Sequence, residues 1–414
     1  MQQERLTAHY RKHLVDIFQA ALVRVEGRNA VSDWLMRHPL SGSVELIAIG
    51  KAAQSMACGA HDRLGGRIER ALIISKTGHV DFLFCRRHGW EALESAHPLP
   101  DRTSLQAGRR LLGFVSETAD RPLLFLISGG ASSLVEAPVE GVDLSFLIRA
   151  NDWLLGSGFD ITQMNGVRKA LSRIKGGGLL QWLGERQIRV LAISDVPGDL
   201  PRVIGSGLLT PEPDLPRQLA SLALPSWLDE RLSEGLRQRA GVDRSPPAVE
   251  IVATLKNAME AAAQRAGELG FPVCLQRDRL QGDAAVTGQR LARSLLHGPS
   301  GVVIWGGETQ VKLPPDPGQG GRNQHLALAA ARELAGSPDC YLLAAGTDGT
   351  DGPTEDAGAL VDGGTIARAE LEGFEADRSL AAADAGRLLE ASGDLITTGP
   401  TGTNVMDLVI GLRR

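Results

Sequence analysis

Five apolar, strand-like runs of this chain each end in a glycine-rich turn, and that repetition restricts the fold more than any bulk property does. The runs and turns span 123–133, 190–198, 302–310, 341–352 and 395–404. They are continuously apolar rather than alternating, which marks strands covered on both faces, as in a parallel sheet flanked by helices. A buried strand that ends in glycine and small hydroxyl residues leaves backbone N–H groups pointing at a possible anion. A helix that follows adds the positive end of its dipole. One such turn means little, because every parallel sheet needs tight turns. Five of them, one reading Thr347-Asp348-Gly349-Thr350-Asp351-Gly352, point to a site for phosphates together with a metal ion.

Stretches with helical periodicity lie between the runs: most of the first forty residues, 144–155, 255–269, 284–296 and 324–334. Shorter apolar runs at 44–49, 71–75, 273–275 and 408–410 read as further strands. The pattern predicts an α/β protein with mostly parallel sheets. With 414 residues, 43% of them hydrophobic, the chain exceeds the usual size of one core, so two domains are expected. Pro211, Pro213, Pro216, Pro225, Pro246 and Pro247 accumulate where no long apolar run occurs. They put the boundary near 240, giving domains of 1–240 and 241–414. A net charge of -5 leaves no basic footprint for nucleic acid. No run reaches the roughly eighteen apolar residues of a membrane span. Cys58, Cys85, Cys274 and Cys340 are scattered without a C-x-x-C pair, which fits a reducing, cytoplasmic setting rather than a disulfide framework.

Two cations stand at predicted helix starts. Lys51 follows Gly50 at the end of the 44–49 run, and Arg322 follows Gly320-Gly321 just before a predicted helix for which Asn323 is the expected N-cap. The dipole disfavours a cation there unless an anion is also bound. Ser128-Gly129-Gly130-Ala131-Ser132-Ser133 offers N–H donors and hydroxyls at a strand end, without the spacing of a Walker A loop. No G-x-G-x-x-G follows a strand, which counts against a standard dinucleotide-binding dehydrogenase. The segment 165–178 reads as a basic amphipathic helix carrying Arg168, Lys169, Arg173 and Lys175 and closed by three glycines. Asp195, after Ser194, is placed to bind a hard cation, accept a hydroxyl proton or form a turn. Asp348 and Asp351 add two carboxylates outside any EF-hand spacing.

These motifs, with Gly306-Gly307-Glu308-Thr309 and Thr398-Gly399-Pro400-Thr401-Gly402-Thr403-Asn404, resemble those of the glycerate 2-kinases, the MOFRL-type glycerate kinases. The likeness runs in order from Gly50 to Asp407. It implies two three-layer α/β/α domains, the first Rossmann-like and the second MOFRL-type, with an active cleft between them. It also implies transfer of the ATP γ-phosphoryl group to the 2-hydroxyl of D-glycerate with Mg2+ or another divalent cation. The residues it points to for catalysis are Lys51, Arg322 and Asp195; Asp195, with Asp348 or Asp351, is placed to hold the metal or to orient the acceptor hydroxyl. Ser128, Gly129, Gly130, Ser132, Ser133, Lys175, Gly177, Gly307, Glu308, Thr309 and Asn404 are its candidates for binding ATP. Small-molecule substrates, no membrane or nucleic-acid partner, and a monomer or homodimer are expected. His325 departs from the family, which usually has Glu there. Two other classes compete: a hydroxypyruvate reductase using NAD(P)H, and a non-catalytic sugar-acid or nucleotide binder.

Overall fold

The structure is a computed structural model that describes residues 2–117, 121–238 and 245–414. Two compact units emerge, one of 27–252 and one of 1–26 with 253–414. The expected cut at 240–241 falls outside the described residues.

The first unit is built on a six-stranded sheet ordered β3-β2-β1-β4-β5-β6. The strands are β1 (Val44–Ile49), β2 (Ile68–Lys76), β3 (Glu91–Ser95), β4 (Leu123–Ile127), β5 (Ile188–Ile193) and β6 (Val249–Ala253). Each pairing from β3 to β5 is parallel. Every residue of β1 and β4 is buried, because helices cover both faces of the sheet centre. One face packs Ile47, Ile49, Phe125, Ile127 and Val190 against Leu111, Phe114 and Leu179. The chain lays down β1, β2 and β3 in one direction and then crosses back to place β4 on the far side of β1. That reversal leaves a crevice at the carboxyl ends of β1 and β4, where open parallel sheets of this order bind ligands.

The second unit has a six-stranded sheet ordered β11-β10-β9-β12-β8-β7. Its strands are β7 (Val273–Leu275), β8 (Gly301–Gly307), β9 (Cys340–Gly346), β10 (Gly358–Asp362), β11 (Leu395–Ile396) and β12 (Asp407–Arg413). Here the expectation of parallel strands needs correction. Only β7 and β8 pair in parallel; β12 runs antiparallel to both β8 and β9, and β10 antiparallel to β9 and β11. Both faces are still covered, so β9 and β10 are buried throughout. Continuous apolar runs report two-sided burial, not strand direction.

The first helix, Gln2–Val25, joins this second unit although it opens the chain. Its apolar stripe of Leu14, Ile17, Phe18, Ala21 and Val25 is buried. Arg11 meets Asp362 at 2.6 Å and Asp394 at 2.8 Å, and Asp16 meets Arg265 at 2.6 Å. Charge pairing and a helix-wide stripe thus override proximity in sequence.

The basic segment also differs from expectation. The helix Ile161–Ala170 ends before Arg173 and Lys175. Arg173 N–H instead donates to Ala137 O at 2.7 Å, and Ser172 bridges to Pro138, so the neighbouring loop captures the backbone.

Candidate active site

At the β1–β4 crevice the two strand ends are bonded together. Ser128 N–H donates to Ile49 O at 3.0 Å, and Lys51 N–H donates to Gly129 O at 2.9 Å. The buried Ser128 hydroxyl, in the turn after β4, accepts from Ala52 N–H at 3.0 Å just before the helix Ala53–Leu64. Ser133 Oγ donates to Gly130 O at 3.1 Å, and Ser132 Oγ lies 2.7 Å from Ser206 Oγ. The hydroxyls therefore organise the turn. Its N–H groups are different: those of Gly129 and Gly130 donate to no protein acceptor among the described residues. Gly130 has φ +84°, open to glycine at little cost. A Cβ there would stand 3.1 Å from His97 Cδ2, 3.2 Å from His97 Nε2 and 3.3 Å from Lys51 Cγ. The imidazole edge and the lysine stem thus share the space of one absent methyl group.

The other cation is held by the protein's own anions. Arg322 opens the helix Arg322–Leu334, donating from Nε to Asp407 Oδ2 at 2.5 Å and from an Nη to Asp407 Oδ1 at 2.8 Å. Glu308 Oε1 lies 3.0 Å from the same guanidinium. Burial disfavours the charge on Arg322, yet the Asp407 hydrogen bonds and charge hold it above arginine's usual value. The geometry follows from the antiparallel β12. Its first residue, Asp407, is in register with Gly307 of β8 and Gly346 of β9, so it starts where those strands end. Thr347 fixes the approach: Val405 N–H donates to its Oγ1 at 2.8 Å, and that hydroxyl donates to Met406 O at 2.6 Å. Asp348 is buried nearby, its Oδ1 accepting from Thr350 N–H at 3.1 Å and its charge adding to the burial that pushes the Asp407 carboxyl up.

Asp351 does what Asn323 was expected to do. Its Oδ2 accepts from Gln324 N–H at 2.8 Å and its Oδ1 from Asn323 N–H at 3.1 Å, so it caps the helix from a distant loop. Gly321, the backbone N-cap, makes room: a Cβ there would lie 2.3 Å from the Asp351 carboxyl. Burial pushes the Asp351 carboxyl up to about 7, against the pull of those N–H donors.

Comparison with known proteins agrees with both halves. Residues 13–239 match the family described as Domain of unknown function (DUF4147), and 301–407 match the MOFRL family. A D-glycerate 2-kinase of Thermotoga maritima is 34% identical over 97% of this chain and 98% of its own. The chain belongs to the glycerate 2-kinase family. A solved glycerate kinase structure from Thermotoga maritima superposes with a TM-score of 0.86 at 34% identity, covering 98% of this chain and all of the other. A relative from Agrobacterium vitis, 35% identical over 89% of this chain and 98% of its own, bears a hydroxypyruvate reductase name marked as unproven.

Other residues expected to serve in this glycerate 2-kinase homologue have structural partners. Lys175 is buried and ion-paired with the equally buried Glu136, and Gly177 N–H donates to Gly207 O at 2.6 Å. Neither is presented as a phosphate ligand. Gly307 lies inside β8, while Thr309 and Asn404 are buried at 4% and 8% exposure. Asp195 is half-buried after β5, and no group of three His, Cys, Asp or Glu side chains forms a metal cage among the described residues. Asp351 is turned to the helix, and Asp348 lies close to Asp407. His325 answers the question its identity raised. Asp407 and Glu308 brace Arg322, whereas buried His325 feels Asp283 and is pushed down by burial.

Sequence reading passed over several residues. Asp407 was legible as the one charge preceding the last apolar run. His79, whose Nδ1 lies 3.4 Å from Lys51 O, and His97 carry no local signal. Asp199 has φ +52°, and its Oδ1 is buried without a hydrogen-bond partner. His9 and His13, at helical spacing on the first helix, bring their Nε2 atoms within 3.0 Å.

Proposed function

We propose that the protein transfers the γ-phosphoryl group of ATP to the 2-hydroxyl of D-glycerate, giving 2-phosphoglycerate and ADP. One observation carries the reading. Two adjacent N–H donors, Gly129 and Gly130, stand beside Lys51 at the switch point of a Rossmann-ordered sheet. That is an oxyanion cradle, and phosphoryl transfer asks a protein chiefly for positioning and charge stabilisation. Lys51 and the two N–H groups hold an oxyanion of a substrate. Arg322, kept charged by Asp407, stabilises charge that grows on the transferring group. Asp195 orients or deprotonates the acceptor hydroxyl.

The second unit's residues also fit a divalent cation. Asp407 and Asp351 are buried beside Arg322, Glu308 meets it from the exposed side, and Asp348 lies close to Asp407, so carboxylate oxygens outnumber the one cation there. Mg2+ commonly takes one or two carboxylates plus substrate phosphates rather than a protein cage. Asp348 and Asp407 would hold it. The ion would supply neutralisation of phosphate charge. The four cysteines are free, which suits work in the cytoplasm.

A coupled assay tests the proposal. ATP and D-glycerate should release ADP, and the product should feed enolase, which consumes the 2-phosphate and not the 3-phosphate. Oxidation of NADH with hydroxypyruvate, and no ADP release, would overturn the reading in favour of a reductase.

A further inference from the structure

His97 lies on the loop after β3, at the edge of the first sheet, yet its imidazole reaches the turn after β4. The loop is tied down on either side of that reach. Ala96 N–H donates to Thr103 Oγ1 at 3.1 Å, and Ser95 Oγ donates to Ser104 Oγ at 3.2 Å, both at the start of the helix Arg102–Glu117. Asp101 Oδ1 accepts from Thr103 N–H at 2.7 Å, which fixes the loop's far end. The imidazole edge therefore reaches Gly130 from an anchored loop. A Cβ at Gly130 would crowd His97 and Lys51 at 3.1–3.3 Å, and the φ of +84° there favours glycine.

We propose that His97 is a substrate-binding residue, donating from Nε2 to the same oxyanion that Lys51 and the Gly129 and Gly130 N–H groups hold. Nε2 and Cδ2 are the His97 atoms nearest the position of a Gly130 Cβ, so that edge of the ring faces the turn. The inference rests on the kinase reading only for the identity of the anion, which is the carboxylate of glycerate or a phosphate of the nucleotide. The competing explanation is that His97 merely fills space over Gly130. Leucine would fill that space without a donor; glutamine would keep an N–H.

Calorimetric titration of Mg-ATP and of D-glycerate into wild type, His97→Leu and His97→Gln, with a melting curve for each, separates these cases. Removing a hydrogen bond to a charged ligand typically weakens binding about tenfold or more. The expected result is that loss for one ligand in His97→Leu, with the other ligand within about twofold and recovery in His97→Gln. The ligand that weakens names the anion. Both ligands binding His97→Leu as they bind wild type would overturn the proposal. So would equal weakening of both with a lowered melting temperature, the mark of a packing role. If His97→Leu does not fold, an unchanged His97→Gln together with a tenfold-weakened His97→Asn supports the proposal, because the shorter amide cannot reach. Unchanged binding in both overturns it. Wild type that binds ATP but never releases ADP with glycerate would sink the kinase reading and leave this comparison standing. Normal turnover with unaltered His97→Leu binding would sink the inference alone.

Discussion

Lys51 and Arg322 pose the same puzzle in sequence, a cation at the start of a helix, and the structure resolves it in opposite ways. Beside Lys51 stand two N–H groups without acceptors among the described residues and the Nε2 edge of His97. Around Arg322 the neighbours are acceptors: Asp407 along the Nε–Nη2 edge of the guanidinium, Glu308 on the same Nη2, and Asp351 capping the same helix. That second region has more anions than cations. An identical local signal thus sits beside backbone donors in one unit and among carboxylates in the other, and strand-end position alone does not tell them apart.

The contrast is most exposed to breakage at Lys51. Lys51→Ala should lower turnover on the order of 10³-fold, the scale of losing a cation that stabilises a transferring phosphoryl group. Its melting temperature should stay near that of wild type, because the side chain is only half-buried. Steady-state kinetics with a melting curve decide it. Near-normal turnover would remove Lys51 from the chemistry.

Arg322→Lys sharpens the other side. It keeps the charge and loses the planar fork that Asp407 grips with two nitrogens. Turnover should fall about 10²-fold or more, less than for a full loss of charge. Retained activity would show that a point charge suffices there. Asp407→Asn attacks the same pair from the acid side and should register in stability instead. Breaking a buried pair typically costs about 3–5 kcal/mol, and Glu308, half-exposed, compensates only part of that. A denaturant midpoint unchanged from wild type would mean Asp407 is not needed to hold Arg322.

The two regions were also unequally legible. Buried runs fixed β1, β4 and β7 to the residue, and the glycine turns led directly to Gly129, Gly130 and Lys51. β3, β6 and β10 escaped the reading: β3 is short and only half-buried with two glutamates, β6 is largely unburied at the sheet edge, and β10 begins with glycine and ends with a paired aspartate. Strand direction in the second sheet was hidden because helices cover antiparallel and parallel strands alike. In the site, the roles of Asp351, Lys175 and His97 depend on partners 27, 39 and 33 positions away respectively. Tertiary pairing decides whether a carboxylate caps a helix or a lysine lies in the interior, and a motif read along the chain carries no record of it.

The smallest expected effect concerns Asp351 and the pH. A carboxylate that accepts N–H bonds at a helix start ordinarily stays ionised, since the dipole and the donors both favour its charge. Here burial wins, with the Asp407 charge adding to it and Arg322 opposing, and the carboxyl is pushed up to about 7. Its folded value therefore exceeds the unfolded one near 3.8, so the folded state binds the extra proton between those limits. Stability from this group is fully present below the unfolded value and is lost as the pH rises through about 7. Asp351→Asn removes this titration and leaves Asp407 in both proteins. From pH 5 to 6.5 the wild type should lose stability relative to the variant, by roughly 1 kcal/mol per pH unit at the steepest. Urea midpoints across that range measure it. A flat difference would mean Asp351 is already ionised at pH 5, so that the helix end, and not burial, sets its charge.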